Sequence, residues 1–269
     1  MIASNSVAAQ VPTTRPTPVS RQQDPTVQSK GKRSPPKQRS TSLWSELTFD
    51  QTIVQATKLQ RMIFLNMYAE WCGSCRRMEA AVFGKPEVLS YLQRYFISLR
   101  RDGFRGEGVA LARRYNCVTY PCMLIIDGKG QEIERLTSYT PSAEFMQRLE
   151  DFRQNKGTLA DLEGQLSRQP QDAVLRFRVG FRYAYRGDRR SVEHLMYVSK
   201  NPPTRYPWLA ARSLYVLARI YFYNTLRDCR ETVRVLDLYL KHPPSPNRSR
   251  ALDIYKHCQN KLSMKNKKQ

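Results

Sequence analysis

Long apolar runs are missing from this chain. No stretch approaches the ~18 consecutive apolar residues that a membrane-crossing helix needs, which excludes a transmembrane helix. Histidine is scarce: His194, His242 and His257 are the only three, all far in sequence from the single C-x-x-C pair at Cys72 and Cys75. No second C-x-x-C exists, so a four-ligand zinc site would have to recruit Cys117 and Cys122 at a looser spacing than structural zinc sites use. Cysteine itself is sparse. Six residues in 269 are too few for a scaffold built on disulfides. Acid is short as well, with 23 acidic against 45 basic residues and a net charge of +22. A charge of that size excludes indifference to polyanions without naming which ones matter.

What is present is enough to fold. Hydrophobic residues make up 41% of the chain and aromatic residues 10%, sufficient for a packed core and inconsistent with disorder throughout. The charge is uneven: residues 1–42 carry +6, residues 43–156 only +3, and residues 157–269 carry +13. Residues 1–42 also hold six prolines, many Ser, Thr and Gln, and no aromatic residue. That stretch reads as a disordered basic tail, because it cannot bury enough apolar area to offset the entropy of ordering its backbone. The amino terminus lacks the basic and apolar regions of a secretory leader, although S-V-A-A-Q has the small-residue character of a cleavage site.

Between residues 43 and 156, helical and strand patterns alternate. A short helix carries Ile53, Val54, Ala56 and Leu59. Met62–Tyr68 is a nearly continuous apolar run of strand length, as expected for a central strand covered on both faces. A helix over Cys72–Val82 follows, then a helix opened by Pro86, a strand at Phe96–Arg100 and a helix at Glu107–Tyr115. Pro121–Ile126 and Gln131–Leu136 read as a hairpin around Asp127-Gly128-Lys129-Gly130. A last helix runs from Thr140-Pro141 to about Phe152. This order predicts an α/β fold with a mixed sheet flanked by helices.

The chemistry concentrates in Y-A-E-W-C-G-S-C-R-R-M, residues 68–78, where the central strand ends and a helix begins. A helix amino terminus offers unpaired N–H groups and the positive end of the dipole, and both favour thiolate over thiol. Cys72, at the helix start, is the expected nucleophile. Cys75, one turn later, can close a disulfide with it in a small ring of low loop-entropy cost. The nucleophile's pKa is expected at about 7, below that of a free thiol.

W-C-G-S-C after an apolar strand, with V-T-Y-P-C before another about 45 residues later, resembles the thioredoxin superfamily over roughly residues 44–155. More narrowly, A-E-W-C-x-x-C-R-x-M-E followed by V-F-x-x-P-E-V resembles the carboxy-terminal thioredoxin-like domain of the DsbD group. The resemblance implies a cis Tyr120–Pro121 bond facing the sulfurs, with the Tyr120 backbone free to pair with an extended client and Trp71 beside it. It also suggests Glu79 as a proton-transfer or pKa-tuning group; an ordinary exposed helix glutamate is the alternative. Asn66 departs from the pattern, since many members carry an aspartate there and an amide cannot take up a proton. Ser74 replaces a frequent proline. Cys117 and Cys122 read as small buried residues, with Cys122 as a third thiol near the pair the alternative. Glu70 reads as a solvated loop acid.

Residues 157–269 are rich in helix formers and carry no chemical motif. Val179, Gly180, Tyr183 and Gly187 fall at the spacings of a tetratricopeptide repeat, which they resemble. A second set, Leu217, Ala218, Tyr221, Thr232, Leu236 and Tyr239, follows, each set ending at Pro-Pro. Ser249–Leu262 would cap the array. Arg176, Arg178, Arg182, Arg186, Arg189 and Arg190 recur on helical faces, either simply solvated or forming a basic groove for an acidic protein partner. No nucleic-acid module appears.

The expected function is a thiol–disulfide oxidoreductase, with reduction favoured only by the resemblance. It needs no metal or organic cofactor, acts on disulfide-bearing protein clients and is recharged by an upstream thiol reductant. The resemblance also implies a bacterial periplasm or envelope, with the cytoplasm as the alternative. A scaffold whose thioredoxin-like part is a redox sensor or a structural module is the competing reading, and a zinc-binding module is a third.

Overall fold

The computed structural model describes residues 43–266; the expectation for the basic stretch 1–42 lies outside them. Residues 43–266 pack as one compact unit. The first part runs α1 (Phe49–Leu59), β1 (Met62–Tyr68), α2 (Gly73–Met78), α3 (Pro86–Tyr95), β2 (Phe96–Asp102), α4 (Glu107–Arg114), β3 (Cys122–Ile126), β4 (Glu132–Leu136) and α5 (Ser142–Arg153). Local sequence accounts for the element ends. Thr48 and Gln51 form a reciprocal capping box at the start of α1, and Pro86 occupies the first turn of α3.

The sheet order is β2-β1-β3-β4, with β1 parallel to β2 and the other two pairs antiparallel. The central strand β1 is buried on both faces, which is why its sequence shows no alternation. Ile63, Leu65 and Met67 pack with Phe49, Ala56 and Leu111 of α1 and α4. On the other face Phe64 meets Met78, Val88 and Phe145 from α2, α3 and α5, and Val82 from the segment after α2. The helix expected over Cys72–Val82 is α-helical only to Met78 and widens into a π-helical segment at Glu79–Phe83.

The second part is all helical: α6 (Leu159–Arg168), α7 (Ala173–Arg186), α8 (Arg190–Lys200), α9 (Leu209–Val216, continued by a π-helical segment Leu217–Leu226), α10 (Cys229–Leu240) and α11 (Arg248–Asn266). Each helix packs on the next. Val179, Tyr183, Leu217, Ala218, Tyr221, Leu236 and Tyr239 are all buried. Gly180 marks where α7 and α8 touch: a Cβ there would lie 2.8 Å from the His194 Cβ and 3.0 Å from the Leu195 Cγ. Helix α6 was not foreseen. It is capped by Thr158 and buries Leu162 and Leu166 against Leu175, Val179 and Tyr183.

Three cysteine pairs close as disulfides: Cys72–Cys75, Cys117–Cys122 and Cys229–Cys258. Cys117 and Cys122 are buried as expected, and the bond between them corrects the alternative of a free third thiol at Cys122. Their Cα atoms lie 5.9 Å apart because the chain turns sharply between α4 and β3. The four sulfurs at 72, 75, 117 and 122 form two separate bonds rather than one ligand set. Among the described residues no group of three or more His, Cys, Asp or Glu side chains clusters as metal ligands. No helix among them is long and apolar enough to cross a membrane. Cys229–Cys258 ties α10 to α11 across a separation of 29 residues. In a chain-entropy account such a link stabilises by about 3.6 kcal/mol. The double variant Cys229→Ser/Cys258→Ser is therefore expected to lower the urea midpoint of the helical part, and an unchanged midpoint contradicts that.

The two parts meet at a buried charge cluster. Glu134 on the edge strand β4 has a side chain only 1% exposed, with Arg182 Nε 2.5 Å and Arg186 Nη2 3.3 Å from its oxygens. Arg186 also reaches Glu132 at 3.0 Å. Arg135 donates to Glu132 Oε1 at 2.7 Å and to the backbone oxygens of Tyr115 and Tyr185 at 2.6 and 2.8 Å. For two of the six arginines this corrects both readings, the solvated face and the basic groove. Arg182 and Arg186 face the sheet edge, not solvent, while Arg176 pairs with Glu193 and Arg190 with Asp188 and Glu163. The docked helix covers backbone that an exposed edge strand would leave open to strand pairing.

His194 stacks on Tyr183 at 5.6 Å. Burial holds its imidazole below the ordinary histidine range, partly offset by Glu193. Protonation therefore favours the unfolded chain. The contribution of neutral His194 is complete above about pH 6.5 and is lost as the pH falls through its lower folded value. The urea midpoint should drop between pH 7 and pH 5 in the wild type and drop less in His194→Gln.

Candidate active site

Strand β1 ends at Tyr68, and four residues later Cys72 caps α2 from an extended backbone conformation (φ −79°, ψ 101°). The Cys75 backbone N–H donates to Cys72 Sγ at 3.0 Å. The nucleophile expected from sequence thus receives a helix N–H at its sulfur, the arrangement that stabilises a thiolate. Cys75 lies one turn on, with its Cα 5.2 Å from that of Cys72. The cysteines are 4% and 7% exposed and pack with Ala69, Tyr68 and Tyr120. Ser74 Oγ lies 3.4 Å from Cys72 Sγ and 3.4 Å from the Tyr120 backbone oxygen that accepts from it. It links the sulfur to the loop that enters β3. In that loop the Tyr120–Pro121 peptide is cis.

A cleft of about 620 Å³ opens on Cys72 but not on Cys75. Trp71, Thr119 and Tyr120 line one wall; Arg219, Tyr223 and Ile254 from the helical part line the other. Trp71 is 67% exposed and meets Tyr120 edge-on at 6.0 Å. Phe104, 58% exposed, touches both, at 5.8 and 5.5 Å. Sequence reasoning missed Phe104 because it sits in the β2–α4 loop, outside any motif. An exposed aromatic trio beside Cys72 is a large apolar contact surface. Burial raises the Tyr120 phenol above its ordinary range, and Asp102 adds to the effect.

Gly103 makes room for this arrangement. A Cβ there would lie 2.6 Å from the ring carbon Cζ of Tyr120. Gly103→Ala is expected to push Tyr120 from the cleft wall and slow disulfide exchange by about 10- to 100-fold, as small misplacements near a reacting group do. An unaltered rate with a peptide disulfide would show that the position of Tyr120 is immaterial.

Glu79 is placed differently from the other expected residues. It lies one turn after Cys75, but among the described residues no hydrogen bond joins it to a sulfur. Its carboxylate sits 3.6 Å from Arg100 Nε, and the Arg100 guanidinium lies 3.9 Å over the Tyr68 ring. Asn66 shares a strand face with Phe64, which packs against Phe83 in the π-helical segment that follows α2. Its side chain is buried, and Oδ1 has no hydrogen-bond partner among the described residues. Glu70 pairs with Arg105 at the surface.

The family model described as "Thioredoxin-like domain" matches residues 49–153. That match spans less than half of the chain, and the stretch is similar to thioredoxin-like domains. It is 36% identical over 96 residues to the thiol:disulfide interchange protein DsbD of Pseudomonas fluorescens, covering 34% of this chain and 16% of the relative. The chain thus spans about a sixth of the length of that curated relative. Among solved structures, it is similar to a thioredoxin from Thermus thermophilus, with 28% identity and a TM-score of 0.35 over 39% of this chain and 82% of that one. It is also similar to the oxidised DsbD carboxy-terminal domain of Neisseria meningitidis, with 23% identity and a TM-score of 0.33 over 38% and 89%.

Proposed function

We propose that the thioredoxin-like domain is a thiol–disulfide oxidoreductase working in the reducing direction. The observation that carries this reading is Cys72: a helix-capping sulfur, bonded to Cys75, that opens onto a cleft walled by Trp71 and the Tyr120–Pro121 loop. The Cys72 thiolate attacks a client disulfide, expels one client thiolate and forms a mixed disulfide. The Cys75 thiolate then attacks Cys72 Sγ and expels the second client thiolate. The client gains two electrons and two protons, and the Cys72–Cys75 disulfide is re-reduced by an upstream dithiol. In this reading Trp71 and Tyr120 contact the client. Glu79 acts on the cysteines through Arg100 and Tyr68 as a positioning group.

The helices α6–α11 act in this proposal as tetratricopeptide-like repeats that bring clients to the cleft. The paired Cys117–Cys122 and Cys229–Cys258 favour an oxidising compartment, in keeping with the bacterial envelope. An insulin reduction assay with dithiothreitol tests the activity. The protein should hasten precipitation of the reduced chains, and a rate equal to dithiothreitol alone contradicts the proposal.

One observation favours a second reading, in which the domain is a redox sensor or structural module within a scaffold. Asn66 offers a buried amide where a proton acceptor would assist release of the Cys75 proton. A reversible Cys72/Cys75 couple separates a working or sensing redox site from a merely structural module.

A further inference from the structure

The cleft at Cys72 does not stand alone. A second cavity of about 770 Å³ adjoins it, and the two share Val118, Tyr120, Tyr223, Asn224 and His257. They form one groove between the thioredoxin-like domain and the helical part. Its floor near Cys72 is aromatic, while its walls are basic. Arg219 and Arg250 line the cleft at Cys72, and Arg113, Arg227 and Lys261 line the adjoining stretch. Asp253 is the one acidic side chain on either lining.

Arg176, Arg182 and Arg186 of α7 are a contrast, since glutamates hold them. Among the described residues no ion pair involves Arg113, Arg219, Arg227, Arg250 or Lys261. Their uncompensated charge faces the space through which a client must reach Cys72. Such a field raises the local concentration of acidic segments and disfavours basic ones, and low-dielectric walls focus it.

We propose that this groove selects, as substrate, disulfides carried on acidic polypeptide segments. The proposal rests on the thiol–disulfide reading of Cys72 and Cys75 given above. The client's disulfide meets Cys72 beside Trp71 and Tyr120, while carboxylates flanking it lie against Arg219 and Arg250. Exchange proceeds as already written: the client disulfide is reduced to two thiols, and Cys72 and Cys75 are oxidised to their disulfide. The helical part thereby becomes a specificity wall of the redox site as well as an appendage to it.

The test is single-turnover exchange between the pre-reduced full chain and three synthetic peptides. Each peptide carries one intramolecular disulfide and is flanked by Glu, Gln or Lys at otherwise identical positions. The second-order rate constant should be about ten-fold higher for the Glu peptide than for the Lys peptide at low salt, the scale of a few exposed charge pairs, and the ratio should shrink at high salt. In Arg219→Gln/Arg250→Gln the ratio should fall toward one, and in Arg219→Glu/Arg250→Glu it should invert, with thermal unfolding confirming that each variant folds. Equal rates for the three peptides, or an undiminished ratio in the variants, would overturn the proposal while leaving the oxidoreductase reading intact. No reaction with any peptide would remove both.

Discussion

Replacing Cys72 with serine is expected to bring disulfide reduction down by at least about three orders of magnitude, the scale of losing a covalent nucleophile. The reason is local. Cys72 is the sulfur that accepts the Cys75 backbone N–H and the cysteine of the pair that lines the cleft. Serine keeps the capping geometry, because a hydroxyl accepts the same hydrogen bond, so the loss should appear without unfolding. Cys75→Ser should behave differently. The first exchange still occurs, but no second sulfur resolves it, and a Cys72–client mixed disulfide accumulates that is visible on a non-reducing gel. Full activity in Cys72→Ser, or no trapped species in Cys75→Ser, contradicts the assignment of roles.

The second large effect concerns stability. Glu134→Ala should destabilise the fold by about 3 kcal/mol, because it leaves Arg182 and Arg186 facing each other with less counter-charge in a buried interface. The lower end of the usual range applies, since Arg186 keeps Glu132. For a chain of this size that corresponds to about 6–12 °C in thermal midpoint. Loss of the cluster should also separate unfolding of the helical part from that of the sheet. Replacing all three side chains by apolar residues of similar volume should cost much less, because the penalty comes from stranding charge rather than from losing attraction. A midpoint for Glu134→Ala within a degree of wild type would mean that the two parts are held by other contacts.

These two expectations lie on different sides of what the sequence could reveal. The strand Met62–Tyr68 was legible because a central strand needs apolar side chains on both faces. Cys72 was legible because the strand-to-helix junction and the following C-x-x-C lie side by side in the chain. The charge cluster was not. Helical periodicity puts Arg182 and Arg186 on one face of α7 but is silent about what lies opposite, and Glu134 is 48 residues from Arg182 in sequence. The same limit hid the cysteine pairings, which depend on how α4 meets β3 and α10 meets α11.

Helix α6 carried a signal that could have been read. Thr158 followed by Asp161 marks a start, and Leu159, Leu162 and Leu166 recur at helical spacing. The π-helical segments carried none. At Leu217–Leu226 the wider turn includes Thr225 Oγ1 donating to the Ile220 oxygen five residues back, a contact set by packing rather than propensity. Phe104 is a loop aromatic with no pattern around it; only folding brings it to Trp71 and Tyr120.

The most direct test is a redox titration of the Cys72/Cys75 pair in the intact chain. The protein is equilibrated in dithiothreitol buffers of graded potential, and the two sulfurs are read by differential alkylation and peptide mass. A single two-electron transition, identical when approached from the oxidised and from the reduced side, is the predicted result. A pair that stays locked in one state across the accessible range, or that does not return after reduction, would contradict the central claim that these two sulfurs exchange electrons with a partner.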